Sequence, residues 1–299
     1  MSAPSANLTV ETVAGAFVPA VPANSSRARY VIRRLFRMPT FVVSFVIAGF
    51  WVFDAIFWRL LVPNDPYAVD PLHTLRAPSW GHLFGTDEIG RDVLSRVLAG
   101  ATSILIVAPI ATAGALLIGV TCGLVAGYKG GLIDEILMRV IDTMVSIPLI
   151  VFAVIVLGLL GPSKLNLIVV IAVVFGPYVT RTVRAATLAQ RERLYVEAAR
   201  LRGENAIYIM VREILPNVTG PIVVEGTVRF GLAVFVAATL SFLGLGLQQP
   251  SPDWGLTISI DLIYMQEAWW TVLAPVLALA SLLMSVSLLA DAMRKALSE

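Results

Sequence analysis

Three groups of ionisable residues have types and spacings that could do chemistry. The first is the polar stretch 181–216, whose centre reads Glu197-Ala198-Ala199-Arg200-Leu201-Arg202-Gly203 and which closes on Ile214-Leu215-Pro216. Arginines at 181, 184, 191, 193, 200, 202 and 212 make it basic. Leu194, Ala198 and Leu201 follow helical spacing, with charged residues 192, 193, 197, 200 and 202 on the other side. Gly203 can take the positive φ that ends a helix, and a second amphipathic stretch follows with Ile207, Met210 and Ile214. The small residues at 198 and 199 would let a partner approach closely. This is a pattern for docking, not for catalysis. The second group is Gly85, Thr86, Asp87, Gly90, Arg91 and Asp92, in which the glycines permit tight turns and the charges can form a local ion-pair network. The third is Glu225 and Arg229, four apart and so able to pair on one helical face.

Catalytic chemistry is not visible. No Gly-x-x-x-x-Gly-Lys-Ser/Thr phosphate loop occurs, so ATP hydrolysis by this chain is not expected. The two histidines, His73 and His82, do not make a metal cluster, and Cys122, the one cysteine, lies in an apolar run. A net charge of +2 is too small to suggest nucleic acid.

The elements that must carry these groups are membrane spans. The chain is 58% hydrophobic and 14% charged, with mean hydropathy +0.83. A soluble domain has roughly a quarter of its residues charged. Residues 1–26 lack the basic start of a signal peptide and are expected to be a flexible cytoplasmic tail. Residues 27–62 form a basic segment (Arg27, Arg29, Arg33, Arg34, Arg37) and a first span over about 41–62. Residues 63–100 are external and 101–299 hold the rest. Further spans are expected over about 102–128, 140–160, 165–183, 218–245 and 271–290, with a short cytoplasmic turn at 128–139. Pro148 and Pro177 should kink their helices. Gly119, Gly123 and Gly127, with Ala115, make a stripe for close helix approach. Asp54 should face protein rather than lipid. Residues 246–270 hold no Lys or Arg and carry Trp269 and Trp270, as an external loop does. Of the 22 Lys and Arg, those placed outside are Arg59, Arg76, Arg91, Arg96 and Lys164, and Arg229 lies in a span; the rest are cytoplasmic. The fold class is therefore an all-α membrane protein of six transmembrane helices with both ends inside.

The spacing Glu-Ala-Ala, three residues, Gly, then about a dozen residues to Leu-Pro resembles the cytoplasmic coupling loop, here 184–216, of the membrane subunits of ATP-binding-cassette importers that work with a substrate-binding protein. Gly85-Thr86-Asp87, Gly90-Arg91-Asp92 and Ser95-Arg96 are similar to the signature of the second membrane subunit of dipeptide, oligopeptide and nickel permeases. Leu240 to Gly246 and Pro250 to Gly255 resemble the same group, and Glu213 departs from the usual apolar residue or histidine. The resemblance implies a type I importer (MetI-like) transmembrane domain, non-catalytic, forming half of a path for di- or oligopeptides. Nickel, glutathione or a sugar are the alternative cargoes. It implies as partners a second homologous permease, two ATPases (or one fused), an extracytoplasmic binding protein and the lipid bilayer. ATP and Mg would sit on the ATPases, with no cofactor on this chain. Glu197, Ala198, Ala199, Arg200, Gly203, Leu215 and Pro216 would contact an ATPase. The external motif would brace the outer entrance of the second span, and Glu225–Arg229 would brace the bundle or line the path. The membrane would be the cytoplasmic membrane of a bacterium or archaeon. The competing class, a secondary carrier without ATPase, would leave the coupling loop without a purpose.

Overall fold

The computed structural model describes residues 35 to 298. The expected tail (1–26) and most of the basic segment, Arg27 to Arg34, lie outside the described residues. Nine helices are numbered here: α1 (Pro39–Leu61), α2 (Val93–Lys129), α3 (Gly131–Ser146), α4 (Leu149–Leu160), α5 (Lys164–Arg191), α6 (Leu194–Leu201), α7 (Leu215–Phe242), α8 (Trp254–Asp261) and α9 (Trp269–Ser298). Five are long and apolar enough to cross a membrane, and α3 with α4 makes a sixth span that is broken. Among the described residues the only β pairing is the isolated bridge Thr86–Asp92.

The glycine stripe builds the centre. A Cβ on Gly119 would lie 2.3 Å from Val179 Cβ, on Gly123 2.7 Å from Val183 Cβ, and on Gly127 2.7 Å from Thr187 Cβ. Positions 179, 183 and 187 are themselves a four-residue stripe on α5, so α2 and α5 pack backbone to backbone over more than two turns. Without a hydrophobic drive between helices in lipid, such van der Waals approach is the main source of association. Around this pair lies the larger core, with Ile104, Ala108, Phe175, Leu240 and Leu282 fully or nearly buried. α1 packs against α2 and α9, and its Trp51 donates to Ser281 Oγ at 2.8 Å. Asp54 on α1 is fully buried, as its predicted protein-facing position requires. The opposite face of α1 exposes Val46, Ile56 and Leu60, which suits lipid.

The structure departs from the predicted boundaries in four places. The second span begins at Val93, because Asp92 caps it by accepting from the Ser95 N–H at 2.8 Å. The predicted turn at 128–139 is mostly helix, since Gly130 and Gly131 absorb the reversal at positive φ. Pro148 does more than kink its span: α3 and α4 meet at 89° across Ile147 and Pro148. The loop after α7 is not plain loop, because Trp254 opens α8 and is buried, its ring 4.9 Å from Trp51 and its indole N–H donating to Val97 O at 2.8 Å.

Replacing Gly119 or Gly123 by Leu should cost about 1–3 kcal/mol or more each, as overpacking does, read as a lower melting temperature in detergent. Gly49→Ala, where an added Cβ meets nothing within 4 Å, should leave it unchanged.

Candidate functional site

The Glu-Ala-Ala unit is built on α5, which continues unbroken to Arg191, so residues 184–191 of the predicted loop belong to the span helix. A sharp turn follows, and α6 carries the Glu-Ala-Ala stretch. Its end is a Schellman motif: Gly203 at φ +80° donates to Arg200 O and Glu204 donates to Ala199 O. Asn205 then caps the next turn, accepting from the Tyr208 N–H at 2.8 Å. The chain passes through a π-helical segment, Ile209–Ile214, into α7, whose first two residues are Leu215 and Pro216. Proline gives no N–H to that preceding turn, where the ladder has widened so that the Leu215 N–H donates to Met210 O.

The inward face differs from the predicted one. Val196 and Ala199 are fully buried, packed in a cluster with Val179, Val183, Ile209, Met210, Ile214 and Val218. Leu194 and Leu201, on the stripe the spacing marked as apolar, are 82% and 84% exposed, and Ile207 is 70% exposed. Glu197, Ala198, Arg200 and Gly203 are exposed with them. The helical period was right but its phase was not, because the strip that meets α5 and α7 is narrow and uses small or β-branched side chains. Arg200 lies over the Tyr128 ring at 5.3 Å. Glu213 pairs with Arg202 at 3.0 Å, which ties the π segment back to the turn. Two ion pairs fasten α5 to α3: Arg184 to Asp134, and Arg181 to Asp142 at 2.6 Å.

On the opposite side, the motif at 85–92 folds into a buried knot. Gly85 and Gly90 take φ +73° and +83°, and a Cβ on Gly90 would lie 1.9 Å from Asp70 O. Asp87 accepts from Arg91 Nε at 2.6 Å and Glu88 from Arg91 Nη2 at 3.0 Å. Thr86 Oγ1 donates to His73 O and accepts from the Arg76 N–H. Asp92 stands apart from the predicted Asp87–Arg91 network: besides its cap it meets His82 Nδ1 at 2.9 Å. Three further groups complete the knot, of which the sequence had singled out only Arg96, in the Ser95-Arg96 signature. Glu88 has just been placed; Arg96 donates to Pro66 O and Ser251 O, both at 3.3 Å. Asp261, at the end of α8, is the third, and no local spacing links it to residue 88. Burial, with the Glu88 and Asp87 carboxylates beside it, pushes the Asp261 carboxyl up to about 9, against the pull of Arg96.

Glu225 and Arg229 pair as their spacing predicted, with Oε1 2.6 Å from Nη2. Among the described residues no group of three or more His, Cys, Asp or Glu is placed to hold a metal ion.

The model of the family described as binding-protein-dependent transport system inner membrane component matches residues 119–299. The chain belongs to that family. It is 37% identical to a dipeptide transport system permease of Alkalihalophilus pseudofirmus, over 90% of this chain and 88% of the relative. It is 36% identical to a di/tripeptide transport system permease of Pseudomonas aeruginosa, over 82% of this chain and 83% of the relative. Among solved structures it resembles a chain of the MetNI methionine ABC transporter in inward-facing conformations, with TM-score 0.55, 18% identity, and 68% of this chain and 97% of the other covered. At that identity the likeness concerns the fold alone. A multi-pass transport permease is thus the identity of this chain, and its fold is that of the type I importer transmembrane domain.

The knot of this permease yields a pH prediction. A carboxyl whose folded pKa is raised contributes stability that is complete below the ordinary carboxylate range and is lost as pH rises through about 9. The melting temperature of the purified permease should fall along that range, and Asp261→Asn should flatten the fall. An unchanged slope in the variant would assign the titration to another group.

Proposed function

We propose that this chain is one membrane half of an ATP-driven importer of di- or oligopeptides, coupled through α6 to an ATPase. The observation that carries the reading is the outward apolar patch of Leu194, Leu201 and Ile207 beside Glu197, Ala198 and Gly203. Large aliphatic side chains on a charged cytoplasmic surface cost free energy unless a partner covers them. The small Ala198 at the centre admits close approach. Arg200, Leu215 and Pro216 flank the patch and belong to the same contact.

The mechanism follows from how α6 is held. Its inner residues Val196 and Ala199 are clamped by side chains of α5, α7 and the π segment, so α6 cannot shift without moving those helices. Closure of the ATPase pair displaces α6 as a lever, and α5 and α7 carry the motion into the bilayer. ATP and Mg2+ act on the partner subunits; this chain supplies no catalytic group. A two-state membrane unit is biased at one end by nucleotide and at the other by the loaded binding protein. A second, homologous permease completes the path, two ATPases (or one fused chain) drive it, and an extracytoplasmic binding protein delivers cargo. Both termini face the cytoplasm of the bacterial or archaeal cell, and the knot at 85–92 braces the outer end of α2. Peptide as cargo is supported by the names of the relatives, which concern dipeptide and di/tripeptide transport.

Leu201→Asp is the sharpest test, because a residue 84% exposed is not needed to fold the subunit. Removing one buried aliphatic contact costs about 1.5–3 kcal/mol, so ATPase affinity should fall roughly ten- to a hundredfold. Gly203→Val, strained at φ +80°, should likewise uncouple ATP hydrolysis from uptake. Normal ATPase co-purification and normal peptide uptake in both variants would refute the coupling role.

A further inference from the structure

Glu225 and Arg229 stand 6 and 10 residues into the apolar span Thr219–Phe242, roughly 9 and 15 Å along it by the rise of an α-helix, inside a bilayer about 30 Å thick in its hydrocarbon. Charge at that depth is expensive and faces protein or water. The pair's surroundings come from α5. Thr182 Oγ1 donates to Glu225 Oε2 at 3.2 Å, and Arg229 lies over the rings of Tyr178 and Phe175 at 4.8 and 5.7 Å. The two side chains keep 16% and 13% of their surface open.

A brace joins different helices, as Asp134–Arg184 and Asp142–Arg181 do between α3 and α5. Glu225 and Arg229 sit on the same helix, so their pairing neutralises charge without tying α7 to anything. What holds them against α5 is one hydroxyl and two ring faces. Arg229 turns both Nε and Nη2 to the one oxygen Glu225 Oε1, each at 2.6 Å.

The neighbouring span is broken on the other side of Tyr178. Ile147 and Pro148 interrupt the helix beside a cleft lined by Met144, Leu149, Phe152, Val174 and Tyr178. Both residues of the break are exposed on this subunit. Non-helical backbone at membrane depth is tolerated only where it is covered by protein or lines a water-filled cavity. Broken helices beside charged groups mark binding regions in transporters of other folds. Tyr178 belongs to both features: its ring lies under Arg229 and its other surroundings are the break.

We propose that Glu225, Arg229, Thr182 and Tyr178 form the polar waist of the translocation path, where Arg229 receives a peptide's carboxylate and Glu225 its ammonium group. The proposal rests on the importer reading above and adds the place and chemistry of passage. Guanidinium and carboxylate form strong charge-assisted hydrogen bonds. A zwitterion is the cargo class that can exchange with an internal ion pair at no net change of charge. Because each group keeps its partner between cargoes, neither charge is stranded in the membrane.

The test uses the complete importer, reconstituted with its ATPases and binding protein, and radiolabelled alanyl-alanine. Replacing the one cysteine, Cys122→Ser, gives a blank background, and Thr182→Cys places a thiol beside the pair without breaking it. The anionic thiol reagent methanethiosulfonate ethylsulfonate should label that cysteine from water, several-fold more slowly during ATP-driven import of the peptide. A thiol that stays unlabelled, or is labelled at a rate indifferent to the peptide, in complexes that still import would overturn the proposal. Absence of ATP-dependent import in the Cys122→Ser parent would instead overturn the importer reading, and the waist with it. The paired neutral variant Glu225→Gln/Arg229→Gln gives a second readout. Maximal uptake should drop several-fold, with complex yield and half-saturating peptide concentration unchanged, since the binding protein sets the latter. A drop in uptake that merely follows complex yield would make the pair structural and sink the proposal.

Discussion

Backbone contact between α2 and α5 is the constraint on which the other elements depend. Lipid tails are as apolar as leucine, so two helices gain from meeting only if they fit closely. Three glycines on α2 give that fit against Val179, Val183 and Thr187. Everything with a functional reading hangs from one of these two helices. α5 runs on past the glycine contact to hold α6, and its Tyr178 and Thr182 meet the charge pair on α7. α2 begins at the outer knot and ends at Lys129, before the glycine reversal into α3. A shift of α5 is therefore felt at both ends of the subunit.

The two polar ends are handled in opposite ways. On the outer side, charges are buried and tied to one another: Asp87, Glu88, Arg91 and Arg96 leave little surface open, and Asp261 joins them from a distant helix. Such burial is costly unless every member is satisfied, and it raises the Asp261 carboxyl above the ordinary carboxylate range. On the cytoplasmic side the charges stay exposed and it is the aliphatic residues that are left uncovered. The first arrangement ties its charges into a rigid knot; the second leaves an apolar surface open.

In the bilayer, the chain concentrates its irregularities in one place. The break at Ile147 and Pro148, the Glu225–Arg229 pair and Tyr178 lie together, while the face of α1 that carries Val46, Ile56 and Leu60 is exposed and apolar. Segregation of this kind separates a lipid-facing shell from an interior that tolerates polar groups. The importer reading needs both.

Much was legible in the sequence because its signals are local. Six apolar stretches, the arginine bias, the glycine stripe, the positive φ at Gly203 and the i,i+4 pair Glu225–Arg229 each depend on neighbours in the chain. Periodicity told that 194–201 is helical, but not which side faces in. Burial of Val196 and Ala199, and exposure of Leu194 and Leu201, follow from where α5 and α7 stand, which no window of sixteen residues contains. In the same way Asp87 could be seen to pair with Arg91, four residues on, while Asp261 could not be joined to Glu88 across more than half the chain. The depth of the bend at Pro148 was likewise decided by packing, since a proline permits a break without fixing its angle. Sequence alone determined the membrane class, the spans and the helix–turn–helix around Gly203, because hydrophobicity and turn chemistry act residue by residue. Tertiary structure alone decided which faces are open and which charges are shared, because those depend on helices brought together from distant parts of the chain.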